Sequence, residues 1–155
     1  MAAAAALILA TPASAVAPEV SVVEWPSSGF ISCTTSSGTV YDHDYVYASH
    51  GWRETTTNYY DETGALSRTR VERATEGGYY NLQTEKSLED TGTWIEITDA
   101  ATGTTSVNAN VAYYQDGALV YKAASRTVYD SAGNVIKQVG GATQLSSTWL
   151  CDQIE

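Results

Sequence analysis

The sequence predicts an all-β, single-domain protein: an antiparallel up-and-down meander of about eight to ten strands, closed or nearly closed into a barrel. Three observations carry this. No segment keeps a 3.6-residue apolar period; apolar and aromatic residues alternate or form short runs rich in Val, Thr and Tyr, the chemistry of a pleated, half-buried surface. Turn sequences carrying a Gly recur along the chain. Cys33 and Cys151 fall in the first and last predicted strands, where a disulfide between them ties the two ends of the meander together.

Taken in order, Ala2 to Ala10 form an apolar run followed by Ala13-Ser14-Ala15, a small-x-small cleavage pattern. The run is too short to cross a bilayer, so residues 1–15 are expected to be a signal peptide, without a Lys or Arg ahead of the apolar stretch. Residues 16–28, with Pro18 and Pro26, are expected to be a lead-in, and 29–155 the barrel domain. Turns are predicted at Ser36-Ser37-Gly38, Asp61 to Gly64, Glu76-Gly77-Gly78, Asp90-Thr91-Gly92, Ala101-Thr102-Gly103, Asp116-Gly117 and Ser131 to Asn134. Asp116-Gly117 is the clearest, a two-residue hairpin loop. The strands between them are expected near 29–34, 39–49, 51–60, 65–75, 78–86, 93–99, 104–115, 118–130, 135–146 and 147–151. A two-sheet sandwich is the alternative architecture.

Composition sets limits on function. The net charge of −10 disfavours nucleic acid and anionic membrane as partners. Eleven Tyr and four Trp supply the buried area that scarce Leu, Ile and Phe do not. An exported chain with two Cys is expected to be secreted and extracellular, stabilised by one Cys33–Cys151 bridge, and monomeric. No stretch after the signal segment is long and apolar enough for a membrane span.

The hairpin around Asp61 to Gly64 can be threaded further. With those residues as its loop, Tyr60 faces Ala65, Thr56 faces Thr69 and Trp52 faces Arg73. One face then carries Arg53, Thr55, Thr57, Arg68, Arg70 and Glu72 and is expected to be wet. The other carries Trp52, Glu54, Thr56, Tyr60, Thr69 and Val71, a mixed set suited to a partly polar interior. Trp52, Glu54, Tyr60 and Tyr113 are therefore the candidate binding residues, with Arg73 or a hydroxyl expected to satisfy Glu54 if it is buried.

Other clusters read as structural. Tyr41, His43, Tyr45 and Tyr47 share one strand face, with Asp42 and Asp44 on the other; the acidic pair lacks the further oxygens a calcium site needs. Gly51, beside His50, is expected to mark a bend or bulge. His50 has no sequence-defined nucleophile, and no GxSxG, HExxH or P-loop is present. No catalytic residue, metal ligand or cofactor is assigned. Tyr60-Asp61-x-x-Gly64 and Tyr129-Asp130-x-x-Gly133 repeat one pattern, read as two hairpins with the same turn chemistry.

Several features together resemble a group of small exported actinobacterial β-meander proteins. They are Cys33, His50, Thr55-Thr56-Thr57, Ala101-Thr102-Gly103-Thr104, Tyr114 to Val120, Ser125 to Asp130, Gly133-Asn134-Val135 and Cys151. The resemblance covers most of the chain after the signal segment and implies a barrel fold and an exported location. The group has no assigned activity to carry over. Two functions are expected. The first is a non-enzymatic barrel binding a small molecule in its interior. The alternative is a cell-surface or extracellular protein that contacts protein or glycan through its outer face. An enzyme ranks third.

Overall fold

The structure, a computed structural model, describes residues 16–141 and 146–155; the expected signal peptide lies outside them. Seven antiparallel strands follow in chain order: β1 (Glu19–Thr34), β2 (Val40–Tyr60), β3 (Leu66–Asn81), β4 (Ser87–Asp99), β5 (Thr105–Gln115), β6 (Ala118–Tyr129) and β7 (Val135–Gly140). They form one sheet in the order β1-β2-β3-β4-β5-β6-β7, an up-and-down meander as the sequence predicts. A short helix, α1 (Ser147–Gln153), ends the chain. No helix among the described residues is long and apolar enough to cross a membrane.

The sheet is not closed. β1 pairs with β2 alone and β7 with β6 alone. The two outer strands also differ in length, sixteen residues against six. The fold is a twisted trough rather than the expected barrel.

Seven strands replace the expected eight to ten because three predicted breaks are strand interiors. β2 runs unbroken through Gly51, with no bend there, and Gly51 pairs with Pro26 and Glu76. β3 runs through Gly77 and Gly78, and β4 through Gly92. Two of these glycines answer to close backbone approach rather than to a turn. A Cβ on Gly77 would stand 2.1 Å from the Ser49 carbonyl oxygen, and one on Gly78 would stand 2.6 Å from that of Leu88. The real β3–β4 turn has no glycine. Asn81 builds it, its Oδ1 accepting from the Gln83 N–H at 2.9 Å and the Thr84 N–H at 3.3 Å. Glu85 takes the left-handed φ of 60°.

The expected lead-in is mostly strand. β1 starts at Glu19, and Trp25 pairs with Trp52. Pro26 lies on β1, an edge strand, where sheets accommodate proline. The strand expected at 147–151 is α1. Ser146 caps it, its hydroxyl oxygen accepting from the Trp149 N–H at 3.2 Å.

Other expectations hold. Asp116 and Gly117, at φ 51° and 75°, form the two-residue loop between β5 and β6. Asp61 and Asp130 close the β2–β3 and β6–β7 hairpins alike. Each Oδ1 accepts from backbone N–H groups two and four residues ahead, at 2.8 and 3.0 Å for Asp61 and 2.9 and 2.8 Å for Asp130. Asp99 does similar work between β4 and β5, accepting from the Thr102 N–H at 2.8 Å. Side-chain bonds from the Thr63 hydroxyl to Asp61 and from the Asn134 amide to Asp130, and the Thr102 N–H bond to Asp99, lead in holding the three carboxyls below their ordinary range, and the other turn N–H bonds add to them.

The core sits at one end of the trough. Val46, Leu88, Tyr41, Val111 and Tyr113 from the sheet pack with Cys151 and Ile154 from the C-terminal segment. Cys33 and Cys151 form the expected disulfide, with Cα atoms 5.6 Å apart, but it joins β1 to α1 rather than strand to strand. The chain end is bonded into the neighbouring loops. The Ile154 carbonyl accepts from Asn81 Nδ2 at 3.0 Å and Thr84 Oγ1 at 2.7 Å, and Asp152 Oδ1 accepts from the Ser36 N–H at 2.7 Å. Lys86 Nζ donates to the Glu155 carbonyl.

Candidate functional site

Between α1 and the sheet face it covers lies a cavity of about 670 Å³. Its floor is laid out by ladder register. One cross-strand row reads Ser27, His50, Gly77, Asp90, Tyr113 and Tyr121 from β1 to β6. The next reads Trp25, Trp52, Thr75, Gly92 and Val111. Residues opposite each other in an antiparallel ladder share a face, so these side chains converge on one side of the sheet.

The glycines in these rows make room for their neighbours. Gly77 stands between His50 and Asp90, and its bare Cα lets the imidazole lie across β3. A Cβ there would come within 2.8 Å of His50 Cδ2. His50 Nε2 thus reaches Asp90 Oδ1 at 2.9 Å, two strands away. Gly92 does the same for Trp94, whose ring would meet a Cβ at 2.6 Å. The Trp94 indole crosses back over β3 to stack on Trp52, with centroids 6.0 Å apart, and Trp25 stacks on the far side of Trp52 at 6.2 Å. Tyr79 meets His50 edge-on at 5.1 Å. Tyr113 and Tyr121 both pack on Trp149 of α1 at 5.4 Å.

The polar groups of this floor are deeply placed. Asp90 is 7% exposed, and its only hydrogen bond among the described residues is the one to His50. Burial raises the Asp90 carboxyl above its ordinary range, against the pull of His50. Burial and the neighbouring Asp90 charge push the Tyr79 and Tyr113 phenols upward as well. Thr75 is 6% exposed, and its Oγ1 has no hydrogen-bond partner among the described residues. Ser27 stands opposite His50 in the ladder, yet no hydrogen bond joins the two side chains.

The four sequence-predicted binding residues divide. Trp52 and Tyr113 line the cavity; Glu54 and Tyr60 do not. The hairpin register explains the split. Tyr60 faces Leu66 rather than Ala65, and a one-residue bulge follows between Tyr59 and Tyr60; together they move the ladder by two residues from the threaded register, so Thr56 faces Val71 and Trp52 faces Thr75. A two-residue slip keeps every side chain on its own face, so Trp52, Glu54 and Thr56 stay together. Glu54 lies one row further along the trough, accepting from Arg73 Nε at 2.7 Å, and Arg73 also approaches Glu96 at 3.7 Å. Tyr60, at the far end, donates its hydroxyl proton to Glu19 Oε2 at 2.6 Å.

Sequence reasoning misses Asp90, Thr75, Tyr79 and Trp94. Reading Asp90 and Gly92 as a turn hides their strand parity. Cross-strand partners two strands away leave no fixed spacing to find. The opposite sheet face carries a second depression of about 690 Å³ beside Tyr47, Tyr80, Glu89 and Tyr114, without a buried unpaired polar group among the described residues. No family model, curated protein or solved structure matches this chain.

Proposed function

We propose that the protein is an exported, non-enzymatic binder of a small molecule, and that the ligand sits in the trough between α1 and the row of Trp52, Thr75, His50 and Asp90. The observation that supports this best is a cavity of about 670 Å³ walled by aromatic rings, with a few polar groups converging on its floor. That volume, and that balance of apolar wall and sparse polar contact, match small-molecule sites in general. Export belongs to the same reading, since the Cys33–Cys151 bridge suits an oxidising compartment, and the sequence resembles the small exported actinobacterial β-meander group.

The test uses prodan, a neutral fluorophore whose emission shifts to the blue in apolar sites. Saturable binding is expected to the disulfide-bonded protein, with quenching of tryptophan fluorescence. Ser147→Trp, placed on the α1 wall of the cavity, should remove both signals while leaving the far-ultraviolet spectrum unchanged. Prodan binding that ignores this substitution would place the site elsewhere.

One observation favours a second reading, partner recognition through the edge of the sheet. Val20, Val22, Val23 and Phe30 of β1 are 62%, 48%, 56% and 46% exposed on a strand whose outer edge is unpaired among the described residues. An extended peptide from an extracellular protein could add there as a strand.

A further inference from the structure

The chemistry of the trough floor narrows the ligand to one class, an inference that rests on the small-molecule role proposed for the trough. The floor offers a carboxylate and four aromatic rings. Asp90 Oδ1 is engaged by His50, while Oδ2 accepts no hydrogen bond among the described residues. Around the Asp90 side chain stand Trp52, Tyr79, Trp94 and Tyr113, all lining the same cavity. Aromatic faces carry negative quadrupole potential and attract cations, most strongly where water is excluded. The chain's net charge of −10 draws cations towards it over a longer range.

We propose that the trough binds a small organic cation, its ammonium held against Asp90 among the rings of Trp52, Tyr79, Trp94 and Tyr113. A neutral polyol would leave the ring faces and the second Asp90 oxygen unused. An anionic ligand would meet the carboxylate and the negative ring faces.

Asp90 makes the binding sensitive to pH. Burial favours its protonated form, and a proton there removes the charge the cation needs, so uptake of a cation by the protonated carboxyl releases that proton. Besides His50, the titratable groups facing Asp90 are the phenols of Tyr79 on β3 and Tyr113 on β5, both pushed further from titration at neutral pH. The cavity-lining residues of α1, Ser147, Leu150 and Cys151, carry no charge. Glu76 and Glu89 point to the opposite face of the sheet, as ladder alternation requires. Glu54, Arg73 and Glu96 pair with one another further along the trough.

The experiment is calorimetric titration of the disulfide-bonded protein with choline chloride and with 3,3-dimethylbutan-1-ol, its uncharged carbon isostere, at constant ionic strength. Choline is expected to bind at least about tenfold more tightly than the isostere. Asp90→Asn, which keeps the size and the acceptor oxygen towards His50, should bring choline down to the level of the isostere. Lowering the pH through the titration of Asp90 should weaken choline by up to about tenfold per unit, with proton release visible as a dependence of the heat on buffer ionisation. Equal binding of choline and isostere would overturn the cation assignment and leave the trough reading standing. No choline binding while prodan still binds would do the same. Failure of all three probes would remove both.

Discussion

The two ends of the trough are built from the same strands and differ in almost everything else. At the capped end, Val46, Leu88 and Ile154 are fully buried, and the disulfide fixes α1 over β1. At the open end the same sheet face carries Asn58, Thr69, Thr98 and Thr105, whose side chains bond to each other in pairs. Thr98 Oγ1 and Thr105 Oγ1 lie 3.0 Å apart, and Thr69 Oγ1 donates to Asn58 Oδ1 at 3.0 Å. A long strand can thus change its environment along its length without changing its conformation. Ladder hydrogen bonds hold the open end, and hydrophobic burial holds the capped one. The candidate site lies where one regime gives way to the other, which is why it contains both rings and buried polar groups.

The sharpest break of this comparison is removal of the bridge. Cys33→Ser with Cys151→Ser should cost about 4–5 kcal/mol in the chain-entropy account, given a separation of 118 residues. Chemical denaturation measures the loss. Hydrogen exchange should then rise in α1 and the β1–β2 loop and stay unchanged in the β2–β3 hairpin. A uniform rise along β2 and β3 would show that the two ends are one cooperative unit and that the division between them is false.

A smaller contrast comes from matched truncations. Leu88→Ala, at a fully buried position of the capped end, should cost about 2–5 kcal/mol through lost burial and a residual cavity. Thr98→Ala, on the same strand and the same face at the open end, removes one hydrogen bond and should cost about 1 kcal/mol. Urea melts of the two variants give the comparison. Similar losses would mean that the open end is as tightly packed as the capped one.

What the sequence reveals divides along similar lines. Strand chemistry, the Asp-Gly loop, the Tyr-Asp-x-x-Gly hairpins and the Cys33–Cys151 pairing are local or counting signals, and the chain displays them directly. Glycine at 77, 78 and 92 misleads, because a glycine that permits close approach looks the same in sequence as one that makes a turn. The turn that does exist at 82–86 rests on the Asn81 side chain and carries neither Gly nor Pro. The helix at 147–153 completes only about two turns, too few for a periodic pattern to show. Trp52 and Tyr113 are within reach because strand parity places Trp52, and aromatic size favours Tyr113 for a wall. His50 reaching Asp90 over Gly77 depends on three strands at once, and only the assembled ladder shows it.

The finest test of the comparison is the opposite pH response of its carboxylates. Asp61, Asp99 and Asp130, in the hairpin turns, have folded pKa values below the ordinary aspartate range because their charged forms accept from the Thr63 hydroxyl, the Thr102 N–H and the Asn134 side-chain amide respectively, with further turn N–H groups adding to each. Their stabilisation is present above the unfolded value of about 3.9 and is lost as pH falls through the folded values. Asp90 runs the other way. Burial raises its folded pKa, so its contribution is present below about 3.9 and is lost as pH rises through the folded value. Asp90→Asn should therefore gain in melting temperature relative to the parent as pH is raised from about 4 to 7, because the amide never has to ionise in the floor of the trough. Asp130→Asn should lose relative to the parent below that interval, as pH rises from about 2 to 4 and the parent acquires a charged acceptor that the variant lacks, and should run level with it from about 4 to 7. Thermal melts of the three proteins from about pH 2 to 7 decide the matter. Parallel curves for the two variants would show that Asp90 is solvated like a turn residue, and that the floor of the trough is no more dehydrated than the open end.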